Sequence, residues 1–168
     1  MRNELEREYV EYFQPRLPQL HRLAVMLCGD ADRADDIVQA AVTTLYARWR
    51  QVRQVGNLDA YVRRSVVNAF LSERRRPWSR VVLTEMPPDQ PAVTGQPADE
   101  RLVVRAALRK LPPKQQAVLV LRFLCDLPVE QVAELVGCSA GTVKSQTSDG
   151  LAKLRKQLGV LAPAGGAR

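Results

Sequence analysis

The sequence predicts an all-α chain made of two small helical domains joined by a flexible Pro-rich linker, the second domain containing a helix-turn-helix. Three observations carry this. Apolar residues recur at helical spacing along nearly the whole chain. Runs of β-branched residues bounded by turn signals are missing apart from Val81, Val82 and Leu83. One stretch, residues 77–97, holds five prolines, a glycine and little periodicity, the composition of an extended connector. With 168 residues and 46% hydrophobic content, two small cores fit the chain, each near the lower size at which a domain is stable alone.

Taken in order, the first helix carries Leu5, Tyr9, Tyr12 and Phe13. A second follows Pro15 and Pro18 with Leu20, Leu23, Ala24 and Leu27, and ends at Cys28-Gly29, where Gly is the stop signal. A third starts near Asp30 to Asp32, whose carboxylates suit a helix N-terminus, and runs to about Arg50. The stretch QVRQVGNLD is a loop with Gly56-Asn57 as its turn signal. Asp59 is placed to cap a fourth helix, AYVRRSVVNAFLSERRR, that stops at Pro77. Beyond the connector, helical pattern resumes at ADERLVVRAALRKL and breaks at Pro112-Pro113. It continues as KQQAVLVLRFLCD, the short VEQVAELV and the long AGTVKSQTSDGLAKLRKQL. The expected boundaries are a first domain at 1–78, a linker at 79–98, a second domain at 99–160 and a disordered tail at 161–168.

Charge narrows the partners. The net charge of +7 favours a polyanion. Residues 1–47 nevertheless hold eight acids against five bases, while residues 48–80 hold nine arginines against two acids. The first segment is a poor ligand for nucleic acid and the second a good one. Three cysteines without a C-x-x-C pair and a single histidine, His21, leave no zinc site and no disulfide framework. Cys28, Cys125 and Cys138 are expected to be buried or half-buried thiols in a reducing cytosol. No run approaches 18 apolar residues and the N-terminus is charged, so neither a membrane span nor a signal peptide is expected. Catalysis has no nucleophile motif, phosphate loop or metal-ligand spacing to work with, so no catalytic residue, cofactor or metal is assigned.

The constellation with the sharpest meaning is PVEQVAELVGCSAGTVKSQ. A helix-turn-helix needs a small residue where its helices cross, a Gly in the left-handed turn position and a branched apolar residue locking the second helix onto the first. Ala133, Gly137 and Val143 supply them at the required offsets. A plain helical hairpin with a Gly C-cap is the alternative. On the second helix, Val143, Thr147, Gly150, Leu151, Leu154 and Leu158 share one side, and Thr142, Ser145, Asp149, Lys153 and Lys156 lie opposite. Ser139 is the expected N-cap, which would aim the first NH groups at phosphate. Thr142, Ser145 and Gln146 are placed to reach base edges. Asp149, a carboxylate in a helix otherwise suited to DNA, stands four residues before Lys153, the favourable order for an ion pair.

The segment from Ala60 to Arg76 interleaves Arg63, Arg64, Arg74, Arg75 and Arg76 with Tyr61 and Phe70, and Trp78 follows. Bases splayed from a melted duplex need such surfaces. The plainer alternative is a solvated face over a core of Val62, Val66, Val67, Ala69 and Phe70.

The order ADDIVQAAVTTLYARW, AYVRRSVVNAFLSERRR, a Pro-rich linker, LPPKQQAVLVLRF and VAELVGCSAGTVKSQTSDGLAKLR resembles the bacterial extracytoplasmic-function sigma factors, especially the compact actinobacterial type, over about residues 8 to 158. The resemblance implies a promoter-specificity subunit whose partners are core RNA polymerase and promoter DNA, with an anti-sigma factor as a further candidate and no membrane. By position it assigns Asp35, Asp36, Val38 and Gln39 to docking on the polymerase, although charge suited to a helix N-terminus also accounts for the two acids. Asn57, Tyr61, Arg63, Arg64, Asn68 and Arg74 are assigned to the minus-10 element. Ser139, Thr142, Lys144, Ser145, Gln146, Asp149 and Lys153 are assigned to the minus-35 element. The chain departs from many relatives at Ala40, where an acid is common, at Pro128, where a Ser cap is common, and at Gln146 and Asp149, where Arg is common. A stand-alone helix-turn-helix regulator and a helical protein-binding adaptor are the competing functions.

Overall fold

The computed structural model describes residues 1–75 and 97–159. Nine α-helices make up the described residues: α1 (Arg2–Phe13), α2 (Leu17–Cys28), α3 (Ala31–Ala47), the single turn α4 (Trp49–Val52), α5 (Leu58–Arg75), α6 (Pro97–Arg109), α7 (Pro113–Leu119), α8 (Val129–Val136) and α9 (Ala140–Gly159). The connector core, Trp78, Arg76 and the tail lie outside the described residues, and so does the side chain of Arg74.

In the first half, α2, α3 and α5 pack on one another, and α1 lies against α4 and reaches α3 through the Tyr9 hydroxyl, which donates to the Val42 carbonyl. The helices start and stop for local reasons. Gly29 takes φ 76° after α2, and its NH bonds the Val25 carbonyl, the left-handed stop that Gly adopts without a Cβ penalty. The Asp30 side chain accepts from the NH groups of Asp32 and Arg33 and so caps α3. Two expectations are corrected here. The third helix does not run unbroken to Arg50; Arg48 leaves helical geometry so that Trp49 can enter the core, where it is 4% exposed. The cap of α5 is Asn57, whose Oδ1 accepts from the Ala60 NH at 3.2 Å. Asp59 is already inside the helix and turns instead to Tyr12 and Arg16.

In the second half, α7 and α8 both pack on α9, and α6 covers α7 and α9. The expected continuous helix through KQQAVLVLRFLCD is α-helical only to Leu119. It widens into a π turn over Val120–Leu124, with the Cys125 NH reaching the Val120 carbonyl, the register change that one extra residue per turn produces. Asp126 then sits at φ 54°, a left-handed position that Asp tolerates better than most residues. The Arg122 guanidinium holds the turn by donating to the Leu127 carbonyl at 2.8 Å.

The two halves do not stand apart. α5 packs on α7 and α8, and α2 meets the π turn, so one apolar cluster runs from Phe13 through Phe70 to Leu121, Leu135 and Val143.

Candidate polymerase and nucleic-acid interface

The helix-turn-helix is built as its spacing requires. Ala133 is 9% exposed at the helix crossing and Val143 is fully buried. Gly137 takes φ 75°, and the NH groups of Gly137 and Cys138 both bond the Ala133 carbonyl, closing α8. Ser139 caps α9: its Oγ accepts from the Thr142 NH at 3.1 Å. Gly150 serves a purpose the sequence did not single out, because a Cβ there would lie 2.9 Å from Leu119 Cδ1. That close approach lets α9 settle against α7.

On the outer face of α9, Thr142, Lys144, Ser145, Asp149 and Lys153 are exposed, together with the cap residue Ser139 at its start. Hydroxyl groups in this row are partly engaged: Ser139 and Thr142 share a hydrogen bond at 2.9 Å, and Ser145 donates to the Thr142 carbonyl at 3.0 Å. Gln146 is half-buried, and its Oε1 is covered without a hydrogen-bond partner among the described residues. Its position between the core row and the outer row explains this. Among the described residues no ion pair within 4.0 Å joins Asp149 to Lys153, so the carboxylate stands unpaired beside the cations of the same face.

In the first half, α3 turns Ile37, Ala41, Leu45 and Val38 inward and leaves Asp35, Asp36 and Gln39 exposed. Val38, at 7% exposure, belongs to the core and supports that face from beneath. Asp35 meets His21 Nε2 at 2.9 Å, which makes an ion pair only when the imidazole is protonated. Asp36 carries the face's other negative charge.

The basic side of the first half is the turn 53–57 and α5. Asn57, Arg64 and Asn68 are exposed, whereas Tyr61 and Arg63 are half-buried. The inner row Val62, Val66, Val67 and Phe70 is buried, so α5 is at once a core helix and a charged face. Arg63 lines a cleft of about 290 Å³ between the halves together with Arg16, Asp59, Cys125 and Leu135. Its Nε has no hydrogen-bond partner among the described residues. Burial pushes the Cys125 thiol above its ordinary range, with the nearby Arg63 charge acting the other way.

Sequence reasoning missed the network that anchors α5. The Tyr12 hydroxyl donates to Asp59, Arg16 Nε meets the same carboxylate oxygen at 3.2 Å, and the Arg16 guanidinium lies 4.0 Å above the Tyr12 ring. The hydrogen bond from Tyr12, with help from Arg16, holds the Asp59 carboxyl below its usual range. No signal in the sequence connects residues 43 and 47 positions apart.

Comparison with known proteins agrees with this geometry. Residues 12–80 match the family described as Sigma-70 region 2, and residues 101–154 match Sigma-70, region 4. The RNA polymerase sigma-E factor of Streptomyces coelicolor is 37% identical over 153 residues, covering 90% of this chain and 86% of that one. The ECF RNA polymerase sigma factor EcfG of Rhodopseudomonas palustris is 32% identical, covering 82% and 78%. Among solved structures, the sigma factor RpoE bound to the anti-sigma factor NepR from Bartonella quintana superimposes with a TM-score of 0.67. That match has 25% identity and covers 91% of this chain and 98% of the other. A helix-turn-helix with an exposed polar outer face, a core helix with a basic outer side, and relatives aligned across both halves lead to one conclusion: the chain belongs to the extracytoplasmic-function sigma factors of the sigma-70 family.

Proposed function

We propose that this sigma factor meets core RNA polymerase through the exposed face of α3, with Asp35, Asp36 and Gln39 in contact and Val38 holding the face in shape. The first half, residues 1–78, reads the minus-10 element through the turn 53–57 and α5. Asn57, Arg64 and Asn68 supply polar contacts, and Tyr61, Arg63 and Arg74 supply stacking and phosphate neutralisation. The second half, residues 99–160, reads the minus-35 element through α9 in the major groove. Ser139, Thr142, Lys144, Ser145 and Lys153 position the helix on phosphates and base edges. Gln146 requires a side-chain rotation to do so.

The observation that carries this reading is the division of charge: an exposed acidic face on α3 suits a protein partner, while the exposed basic faces of α5 and α9 suit a polyanion. Sigma factors are transcription initiation factors, so the chain works by recruiting the catalyst. Core polymerase places that work in the cytoplasm, and among the described residues no helix is long and apolar enough to cross a membrane. An anti-sigma factor, the class of partner bound to the Bartonella relative, is a candidate regulator.

The test is run-off transcription with purified core polymerase and a promoter library. Promoter-dependent transcripts from a defined sequence class are the expected result, and failure to co-purify with core polymerase sinks the proposal. Asp149→Arg refines it. Tighter binding to every minus-35 sequence, with a salt dependence steeper by about 0.9 in log–log slope for each added phosphate contact, identifies Asp149 as a brake on affinity. A gain confined to certain bases identifies it as a reader of cytosine N4.

A further inference from the structure

The mouth of the cleft between the halves carries an unbalanced charge. Asp59 is answered from within the chain: its Oδ1 accepts from the Tyr12 hydroxyl and meets Arg16 Nε at 3.2 Å. Arg63, one turn further along the same helix, makes no ion pair within 4.0 Å among the described residues. Its Nε is shut off from water and has no hydrogen-bond partner there either. A guanidinium drawn halfway into a fold without a counter-charge is costly. A covered polar group left unsatisfied marks a place where a ligand completes the set.

Below the mouth the cleft is aliphatic. Leu20, Leu23, Val62, Leu121 and Leu135 line it, all at 7% exposure or less. Cys125 and Leu127, just beyond the π turn, line it from the second half. Its volume of about 290 Å³ falls at the small end of ligand sites, which begin near about 300 Å³.

We propose that this cleft is a binding site for a small amphipathic monocarboxylate of the medium-chain fatty-acid class, its carboxylate on Arg63 and its tail over Val62, Leu121 and Leu135. A planar carboxylate matches the guanidinium fork and supplies the single negative charge that the mouth lacks. The tail gains by leaving water for the aliphatic lining. A doubly charged phosphate ester would set its second charge against Asp59. Nucleic acid meets the same carboxylate, and Tyr12, the aromatic residue lining the cleft, is already engaged. The Arg16 guanidinium lies 4.0 Å above its ring, which also packs on Phe13 and Trp49, leaving a base little to stack on. The site stands whether or not Arg63 also meets promoter DNA.

The test uses the full chain and decanoate, kept below its micelle concentration. Titration calorimetry should show saturable binding tighter than about 1 mM. Decanol has the same tail without the charge, and acetate has the charge without the tail. Each should bind at least about tenfold more weakly, and so should decanoate to Arg63→Gln. Cys125 locates the site. At about ten times its dissociation constant, decanoate should slow alkylation of Cys125 by iodoacetamide about tenfold by mass action. Cys138, which does not line the cleft, should react as before. This arm needs only the wild type, so it decides the matter even if Arg63→Gln loses helix content.

Absence of saturable binding, equal binding of decanol, full affinity in a folded Arg63→Gln, or a Cys125 that stays as reactive as before overturns the site. A single-stranded oligonucleotide that shields Cys125 as well as decanoate does would put the cleft on the path of DNA and overturns it too.

Discussion

The two halves solve the same problem, holding a charged helix face toward a partner, with different means. The first half sets an aromatic cluster in its core: Phe13, Trp49 and Tyr9 stack within 4.5–5.8 Å of one another. The Tyr9 hydroxyl bonds the Val42 carbonyl at 2.7 Å. Long-range ion pairs, including Arg33 to Glu73 at 2.9 Å, tie its helices together. The second half is aliphatic, its one aromatic residue among those described, Phe123, standing 53% exposed. It relies on close backbone approach at Gly150, a left-handed turn at Gly137, and apolar surface shared with the first half. A unit stapled by aromatic and ionic contacts has its shape before it meets a partner. A unit that borrows part of its core is more easily re-set when that partner changes.

The largest effect should come from striking the core of the first half. Phe70→Ala removes a fully buried ring and should cost about 3–5 kcal/mol in denaturant unfolding. Because α5 also supports α7 and α8, hydrogen exchange in the second half should accelerate in the same variant. Should exchange rise in the first half alone, the shared core is not energetically shared. Next comes Gly150→Val. The added methyl groups collide with Leu119, and overpacking of this kind should cost about 1–3 kcal/mol. Exchange should accelerate in α7 and α9 while α1 to α3 stay protected, a polarity that would sharpen the contrast between the halves.

Smaller changes probe the caps and ion pairs. Ser139→Ala removes the acceptor for the Thr142 NH and should cost about 1 kcal/mol of stability, read as a lowered unfolding midpoint with an unchanged slope. The smallest effect belongs to Asp59→Asn. Asp59 titrates below its ordinary value of 3.8 in the folded chain because Tyr12 and Arg16 favour its charged form. Its contribution is therefore present above the unfolded value and fades as pH falls through the folded one. The stability gap between wild type and Asp59→Asn should be small at neutral pH, since the site is exposed; it should start to shrink as pH falls below about 3.8 and vanish only once pH is below the lower folded-state value. A gap that persists in acid would assign Asp59 a role other than its charge.

Much of the fold was legible from local chemistry. Gly29, Asp30, Pro112, Gly137 and Ser139 start or end helices where residue type alone predicts it. The periodicity of α9 foretold its buried row from Val143 to Gly150. Misreadings fell where a distant partner outbid the local preference. Asp59 had the chemistry of a cap, yet Tyr12 and Arg16 recruit it, leaving the cap to Asn57. Trp49 belonged to a helical pattern, yet burial of its ring breaks the helix at Arg48. Val38, assigned to docking by position, is a core side chain at 7% exposure, which periodicity along α3 alone did not separate from its exposed neighbours.

The sequence by itself determined the helical class, the order of the elements, the helix-turn-helix and the partition of charge, because each is written in spacings of a few residues that a helix converts directly into faces. Only the tertiary structure decided that the halves share one core, that Gln116 caps a helix 89 positions away, and that Arg63 lines a cleft while Arg64 stands open. Those outcomes depend on which apolar faces meet across the connector, and contacts between distant segments leave no period in the chain.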